Sequence, residues 1–292
     1  MKAFKLAIKI LIIFILLFTA GICLFFVYQS YSGDDNRYAP IDVTKYTFHN
    51  NIQLPDNAPI ISENLNSFEP FGPVDATILE NLNKYYKNNT DVVAWIKIGN
   101  SKINFPVVQY SDNDYYLRRG YDKNYNFQGV IWADYRNTIT NRKYLAPNTV
   151  IYGHNTSDNA KTGKMFAQLM NYTNIEFAKA NPVIELSSFT DGMKWQVFAA
   201  FYTDTNFYYI DTHPSKTTMN TLISEAISRS EFDFGVPVTS SDKIITLSTC
   251  TYKYGKREDQ RFVVMAKLLG ANESPIANEV VKNPNPKQPQ FN

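Results

Sequence analysis

A series of short β-rich segments between residues 74 and 270 constrains the fold of this 292-residue chain more than any other feature. The segments share β-branched and aromatic residues, in keeping with the 20 Tyr and 20 Phe of the whole sequence. They run over Val92–Ile98, Ile103–Gln109, Gly129–Ala133, Thr149–Tyr152, Val183–Ser187, Trp195–Tyr202, Lys243–Leu247 and Phe262–Leu268. Turn residues such as Gly99-Asn100 and Asp191-Gly192 separate them. Eight short strands with few helices predict a mainly β domain, either a closed barrel or a sandwich.

Three segments carry helical signals. Asp75 can cap the first helix, which is predicted to run to about Lys87. Lys164–Tyr172 is short, whereas Ser215–Arg229 begins at a capping serine and is the longest. We therefore expect a long helix shortly before the last pair of strands.

An apolar run near the N-terminus, Ile10–Tyr28, covers nineteen residues without a charge. At 1.5 Å per residue it spans roughly 28 Å, close to the ~30 Å hydrocarbon core of a bilayer. Lys2, Lys5 and Lys9 precede the run, and the first acidic residue after it is Asp34. The positive-inside rule then predicts a cytoplasmic N-terminus and an extracytoplasmic remainder.

A cleaved signal peptide is the alternative interpretation of this run. The apolar region of a signal peptide normally has about 7 to 15 residues and ends at small residues. Here Thr19-Ala20-Gly21 lies in the middle of a longer apolar run. The sequence therefore favours an uncleaved transmembrane signal anchor over residues 1–29, which makes this a single-pass protein of the cell membrane.

The segments that flank the β-rich region differ from it in composition. Residues 30–73 are polar and contain five prolines, which predicts an extracytoplasmic stalk. Residues 271–292 are rich in Asn and Pro, which predicts a flexible tail. One folded domain is expected between them, over residues 74–270.

The charge distribution argues against a nucleic-acid partner. Without the three N-terminal lysines, the 29 basic residues become 26, against 27 acidic residues. A body so close to neutrality lacks the basic stripe of nucleic-acid-binding proteins. The single thiol of the body and the three scattered histidines also lack the spacing of a metal site, so no cofactor is expected.

Cys250 is the candidate nucleophile. The second cysteine, Cys23, lies in the apolar run 227 residues earlier, so a disulfide between them is not expected. A lone thiol in an exported domain is a candidate catalytic residue. Cys250 also ends the run IITLSTC, and a strand end can expose a side chain to solvent. The alternative is a buried cysteine that packs as a small hydrophobic residue.

His154 and Arg261 are the candidate partners of Cys250. His154 ends the run TVIYGH, and an imidazole can protonate the amine that leaves when a thiolate attacks an amide. Arg261 opens the run RFVVMAKLL, and antiparallel pairing of the two flanking strands would return it to Cys250. Because arginine does not lose its charge, it can lower the pKa of a thiol or stabilise a developing oxyanion. Taken singly, each residue is more often structural.

The motifs that hold these residues resemble the signature of sortases. They are TLSTC followed by an arginine that opens the next strand, and YGHN about a hundred residues upstream. DVVAWIKI, INFPVVQYSDNDYYL and GVIWADYRN extend the resemblance over roughly residues 75–270. The long helix before the cysteine strand is similar to that of class B sortases. The resemblance implies an eight-stranded sortase-type β-barrel with a few helices.

The resemblance also implies a function, that of a membrane-anchored cysteine transpeptidase. Cys250 would cleave the C-terminal sorting motif of a surface protein after Thr, and a peptidoglycan precursor amine would resolve the thioester. His154 would protonate the leaving amine and deprotonate the incoming one, and Arg261 would stabilise the oxyanion. The implied partners are surface proteins with a sorting motif, the peptidoglycan amine and the membrane.

A set of substrate-binding residues follows from the same resemblance. The matching positions are Ser248, Asn113, Leu117, Thr205, Tyr209 and Ile210. Leu117 and Ile210 would suit an apolar core equally well. One departure is Thr251, which follows Cys250 where many class B sortases have an acid.

Two other functions stay open at the level of sequence. A Cys/His cell-wall hydrolase or L,D-transpeptidase needs a cysteine and a histidine but no arginine after the cysteine strand. A non-catalytic surface-binding module would make Cys250 structural. Water or an amine as acyl acceptor separates a hydrolase from a sortase, and alkylation of Cys250 near neutral pH separates an enzyme from a binding module.

Overall fold

The computed structural model describes residues 70–156, 159, 161–277 and 279–291. The predicted signal anchor and nearly all of the predicted stalk lie outside these residues. Within them, no helix has the length and apolar composition needed to cross a membrane.

Ten strands and three α-helices make up the described structure. The strands are β1 (Val92–Ile98), β2 (Asn104–Val108), β3 (Ile131–Ala133), β4 (Asn148–Tyr152), β5 (Val183–Ser187), β6 (Gly192–Asp204), β7 (Phe232–Asp233), β8 (Ile244–Cys250), β9 (Gln260–Leu268) and β10 (Val281–Lys282). The α-helices are α1 (Ala76–Asn88), α2 (Ile175–Ala180) and α3 (Lys216–Arg229), and 3₁₀ helices cover Tyr115–Arg118 and Met165–Thr173.

Eight of these strands close into a barrel in the order β1-β2-β3-β4-β8-β9-β6-β5. The pairs β2–β3 and β4–β8 are parallel, and the other neighbours in the barrel are antiparallel. They correspond to the eight predicted strands, so the mainly β, eight-stranded barrel is confirmed and the sandwich is excluded. The two-residue strands β7 and β10, which pair with each other, are too short for a periodicity to predict.

The helices begin at the predicted capping residues. Asp75 accepts hydrogen bonds from the backbone N–H groups of the first turn of α1, and Ser215 does the same for α3. Such caps satisfy donors that the helix itself leaves unpaired. The buried face of α3, which includes Leu222 and Ala226, packs against β6. The long helix before the cysteine strand is therefore present.

The core fixes β8 in place up to its last residue. Ile244 to Thr249 are all buried, whereas Cys250 is partly exposed. Large fully buried side chains, among them Trp195, Phe201 and Phe262, pack in the same hydrophobic core. The core of the barrel thus buries β8 up to Thr249, and the thiol of Cys250 lies at the rim of the barrel.

The described part of the segment after residue 270 lies against the domain. β10 pairs with β7, Lys287 lies 2.8 Å from the Glu225 carboxylate of α3, and the Gln290 N–H donates to Asp204 over 2.8 Å. The composition of residues 271–292 predicts a flexible tail. The structure differs from this prediction because composition does not show which residues will form backbone pairs or single hydrogen bonds with the domain.

A buried ion pair closes the barrel end opposite Cys250. Arg142 donates to both oxygens of Asp191, at 3.0 Å each, and these side chains are 3% and 0% exposed. Arg142 also donates to the carbonyl of Leu269, just after β9. Arg261 and Leu268 lie seven residues apart in this strand, roughly 23 Å at ~3.3 Å per residue. The pair therefore stabilises the barrel at a distance from the thiol.

Replacing Asp191 by Asn is expected to lower the free energy of unfolding by about 3 to 5 kcal/mol, because Arg142 would keep a buried charge without its counter-ion. Urea denaturation measures the loss. Lys97 and Glu185 form the matched surface pair, 3.7 Å apart with 44% and 38% of the side chains exposed. Glu185→Gln should cost less than about 1 kcal/mol. Equal losses in the two variants would contradict the argument.

Candidate active site

The parallel pairing of β4 with β8 brings His154 and Cys250 to the same rim of the barrel. Tyr152 and Ser248 are register partners, and the Gly153 N–H donates to the Ser248 carbonyl over 3.2 Å. His154 lies two positions after Tyr152, and Cys250 lies two positions after Ser248. Because parallel strands end at the same edge of a sheet, both side chains lie beside one opening.

Arg261 is placed by the antiparallel pairing of β8 with β9. Cys250 and Arg261 are direct register partners, so the loop between the strands returns the arginine to the cysteine as expected. Arg261 Nη1 donates to the carbonyls of Glu258 and Gln260, at 2.6 and 2.9 Å. Within the described part of the chain, these bonds anchor one nitrogen of the guanidinium, which leaves the donors on Nε and Nη2 for a ligand.

The ring of His154 is held by a backbone carbonyl. His154 Nε2 lies 2.8 Å from the Leu117 carbonyl oxygen, which can only accept, so Nε2 carries a proton. In the neutral ring the basic atom is then Nδ1. The ring also packs on Trp132, with 5.5 Å between the centroids. The carbonyl therefore selects the tautomer, and the indole restricts the ring's orientation.

Gly129 leaves the space that His154 occupies. Its φ is +58°, in the left-handed region that favours glycine, and a Cβ there would lie 2.8 Å from Cδ2 of the imidazole. Any side chain at this position would push the ring away from the Leu117 carbonyl. The sequence places Gly129 at the start of a strand and gives no sign of this contact.

Burial and a neighbouring cation hold the pKa of His154 below its usual range. Burial contributes most, the bond to the Leu117 carbonyl opposes it, and repulsion by Arg118 adds to it. Arg118 Nη1 lies 3.4 Å from His154 Nε2 and donates to the Phe127 carbonyl over 2.9 Å. His154 is therefore neutral near pH 7. Sequence reasoning missed Arg118, which no motif distinguishes from a surface arginine.

One cleft of about 220 Å³ collects most of the residues singled out in the sequence. It is lined by Cys250, His154 and Arg261 together with Leu117, Thr205, Tyr209, Ile210 and Ser248. The hydroxyls of Tyr209 and Ser248, both buried, lie 2.8 Å apart. Leu117 is thus a cleft residue that also orients the histidine.

Asn113 differs from the other expected substrate-binding residues because it does not line this cleft. Its side-chain amide donates to Asp134 over 3.0 Å, and its side-chain oxygen accepts from the Tyr135 N–H over 3.1 Å. Both ends of the amide are therefore engaged inside the protein. The resemblance to class B sortases implies a substrate-binding role for Asn113, but a matched position in a loop does not reveal where the side chain makes its hydrogen bonds.

A second set of hydrogen bonds joins the loop after His154 to the end of β8. The Asn155 side chain donates to the Cys250 carbonyl over 3.1 Å and to Asn159 over 2.9 Å. Thr251, at the position where many class B sortases have an acid, is buried and donates to Asn159 over 3.2 Å. Neutral hydrogen bonds, without an acid at this position, connect the histidine loop to the cysteine here.

Replacing Arg118 by Gln is expected to raise the pKa of His154, because the imidazolium would no longer face a guanidinium. The pKa should stay below the ordinary value of ~6.5, since burial remains. NMR titration of the ring measures it. Arg119→Gln is the matched control, because Arg119 stacks over Tyr115 at 4.2 Å and donates to the Tyr115 carbonyl. An equal rise in both variants, or none in Arg118→Gln, would contradict the assignment.

Comparison with known proteins identifies the family. The sortase domain family model matches residues 96–269. Sortase B of Listeria monocytogenes is 36% identical over 197 residues, covering 67% of this chain and 77% of that protein. Sortase B of Staphylococcus aureus is 34% identical over 184 residues, covering 63% and 72% respectively.

Solved structures show the same relationship. The S. aureus sortase B–substrate complex matches with a TM-score of 0.58 at 32% identity, over 66% of this chain and 86% of that chain. A mutant form of Clostridium perfringens sortase B matches with a TM-score of 0.59 at 30% identity, over 66% and 88%. The barrel, the cleft and these relatives together show that the chain belongs to the sortase family of cysteine transpeptidases, in class B.

Proposed function

We propose that this protein is anchored in the cell membrane and attaches surface proteins to the cell wall. It cleaves their C-terminal sorting motif after Thr through a thioester on Cys250 and transfers the acyl group to an amine of a peptidoglycan precursor. The observation that carries the proposal is the shared cleft. Cys250, at the exposed end of a buried strand, lines it together with His154 and Arg261.

The first half-reaction forms the thioester. His154 takes the thiol proton on Nδ1 and the sulfur attacks the Thr carbonyl carbon, which places a negative charge on its oxygen. Arg261, which keeps its charge at any working pH, stabilises that oxyanion. The C–N bond then breaks as His154 returns the proton to the leaving amine. Burial, which lowers the pKa of His154, makes its imidazolium the stronger acid for that step.

The second half-reaction transfers the acyl group. The incoming amine attacks the thioester carbonyl, His154 takes its proton, and the C–S bond breaks to release the Cys250 thiolate, which the proton then neutralises. A relative supports an amine as acceptor, since one solved sortase B is complexed with triglycine. The substrate complex of S. aureus sortase B supports a peptide as acyl donor.

The cleft offers a mixed environment to the donor peptide. Leu117 and Ile210 provide apolar walls, Thr205 provides a hydroxyl, and the paired hydroxyls of Tyr209 and Ser248 lie beside Cys250. Such a lining suits a short extended peptide with small polar and apolar side chains. We assign these five residues to substrate binding, with Leu117 also orienting His154.

The thioester is the most direct test. In a chain shortened to begin at residue 30, Cys250 is the only thiol. Incubation with peptides that vary the residues before Thr should add the acyl mass to Cys250, because the thiolate displaces the amine. Hydroxylamine should then release a hydroxamate that ends at Thr, and mass spectrometry detects both species.

Three variants complete this experiment. Cys250→Ala should abolish both products, and His154→Ala should leave the fold intact while product formation stalls. Arg142→Lys, which alters the far end of the barrel, should retain product formation. Peptides cleaved equally well by the Cys250→Ala protein would overturn the assignment of the nucleophile.

Membrane anchoring is tested separately. The full-length protein should sediment with membranes and require detergent for release, because Ile10–Tyr28 is long enough to span the bilayer. The chain that begins at residue 30 should remain in the soluble fraction. We assign residues 30–73 to a stalk on the outer side of the membrane. Mature protein in the culture medium with its N-terminus near residue 30 would show a cleaved signal peptide instead.

A further inference from the structure

A buried carboxylate, Asp134, lies behind the cleft just after β3. Asp134 is 0% exposed, and both oxygens of its carboxylate accept hydrogen bonds. Oδ1 accepts from the backbone N–H and Nε of Arg136, at 3.0 and 2.8 Å. Oδ2 accepts from Arg136 Nη2 at 2.7 Å, from the Tyr152 hydroxyl at 2.9 Å and from the Asn113 amide at 3.0 Å. The two-pronged contact with Arg136 matches the planar fork of a guanidinium.

Two of the partners lead from Asp134 to the catalytic side of the cleft. Tyr152 lines the cleft and lies in β4, two residues before His154. Asn113 precedes the 3₁₀ helix Tyr115–Arg118, which contains Leu117 and therefore the carbonyl that holds His154. The Asp134 carboxylate thus bonds to Tyr152, which lines the cleft, and to Asn113, which precedes the 3₁₀ helix whose Leu117 lines the cleft.

Arg136 leads to the opposite wall. Its Nη2 also donates to the Ile210 carbonyl over 3.0 Å, and its Nη1 donates to the Tyr208 hydroxyl over 3.1 Å. Both residues belong to the segment between β6 and α3 that lines the cleft. This segment is not paired in the barrel sheet, and single hydrogen bonds hold it. Asn148 of β4 donates to the Tyr209 carbonyl over 3.0 Å, and the Tyr209 hydroxyl bonds to Ser248. Arg136 adds the contacts to Tyr208 and Ile210.

The charges of the pair balance each other. Burial by itself would raise the pKa of Asp134, but its hydrogen bonds with Arg136, Tyr152 and Asn113 outweigh burial and hold that pKa below its usual range. The side chain of Arg136 is 29% exposed, so it joins the buried carboxylate to the surface segment. Neither residue lines the cleft itself.

We propose that Asp134 and Arg136 form a positioning pair that sets the width of the substrate cleft by holding the 205–210 segment against β4 and the 3₁₀ helix. The pair acts through Ile210 and Tyr208 and takes no part in the bond-breaking steps. This inference rests on the proposed function in one respect, namely that the cleft binds a peptide. Loss of the pair should therefore weaken peptide binding far more than it alters the reactivity of Cys250.

Arg136→Gln in the full-length protein in detergent micelles is the principal variant. It should lower kcat/KM for a fluorogenic Thr-containing peptide from the panel by about 10- to 100-fold, mainly through a higher KM, because a misplacement of about 1 Å can cost about 100-fold in catalytic efficiency. The rate at which Cys250 forms a mixed disulfide with a small methanethiosulfonate reagent, with loss of methanesulfinate, should stay within about twofold of wild type, since the reagent does not need the displaced wall. Asp134→Asn should give the same pattern.

Arg142→Gln is the matched control, because it breaks another Arg–Asp pair, which lies at the far end of the barrel. It should lower stability without changing KM. A KM that rises equally in Arg136→Gln and Arg142→Gln would mean general loosening of the fold and would overturn the proposal, as would an unchanged KM in Arg136→Gln. If a glutamine variant does not fold, Arg136→Lys and Arg142→Lys give the same comparison, because lysine keeps the charge but cannot form the fork.

Amide hydrogen exchange tests the pair without any substrate. Exchange at residues 205–210 should accelerate in Arg136→Gln and stay at the wild-type rate in Arg142→Gln. No acceleration in Arg136→Gln would overturn the positioning pair whatever the enzyme's substrate is. Acceleration in a protein whose wild type cleaves no peptide of the panel would support the pair and count against the proposed function.

Discussion

The pairing of β4, β8 and β9 is the constraint on which the site depends. Tyr152 pairs with Ser248 in parallel, and Cys250 pairs with Arg261 in antiparallel register. A shift of one residue in either pairing would turn every side chain of a strand to the other face. Both faces of β8 are buried, but they differ in polarity. A shift would exchange the apolar Ile245 and Leu247 with Thr246 and Ser248, and it would break the hydrogen bonds of these two polar residues with Asn148 and Tyr209. Packing inside the barrel therefore decides the geometry of the chemistry at its rim.

At the rim of the barrel, hydrogen bonds and nearby charges set the protonation and position of the polar side chains. His154 is kept neutral by burial and by the nearby Arg118, and the Leu117 carbonyl decides which nitrogen carries the proton. Neutral side chains such as Asn155 tie the histidine loop to the cysteine strand. In the proposed mechanism, a histidine prepared in this way exchanges a proton with a thiol and an amine without holding a permanent charge beside Arg261. The proton-transfer group and the charged group consequently have separate roles.

The Arg142–Asp191 and Arg136–Asp134 pairs have different consequences because of where they lie. Arg142 and Asp191 close one end of the barrel and bond to the end of β9, so their effect is on stability. Asp134 and Arg136 lie beside the cleft and bond to segments that the barrel ladder does not hold. The desolvation of a carboxylate is offset in both places by a guanidinium fork and backbone donors. Both pairs use the same kind of hydrogen-bonded ion pair. They differ in the segments to which they bond, so one stabilises the barrel and the other positions the cleft.

The sequence by itself determined the eight barrel strands, the caps Asp75 and Ser215, and the motifs that place Cys250, His154 and Arg261 at strand ends. These are local signals, since periodicity, capping and strand termini are written in neighbouring residues. Only the tertiary structure decided that Asn113 bonds to Asp134, that Gly129 makes room for the imidazole, and that Arg118 faces it. These contacts join residues far apart in the chain, from Asn113 and Asp134, 21 positions apart, to Arg118 and His154, 36 positions apart. Closure of the barrel creates them, and no local pattern encodes which side chains will meet when it closes.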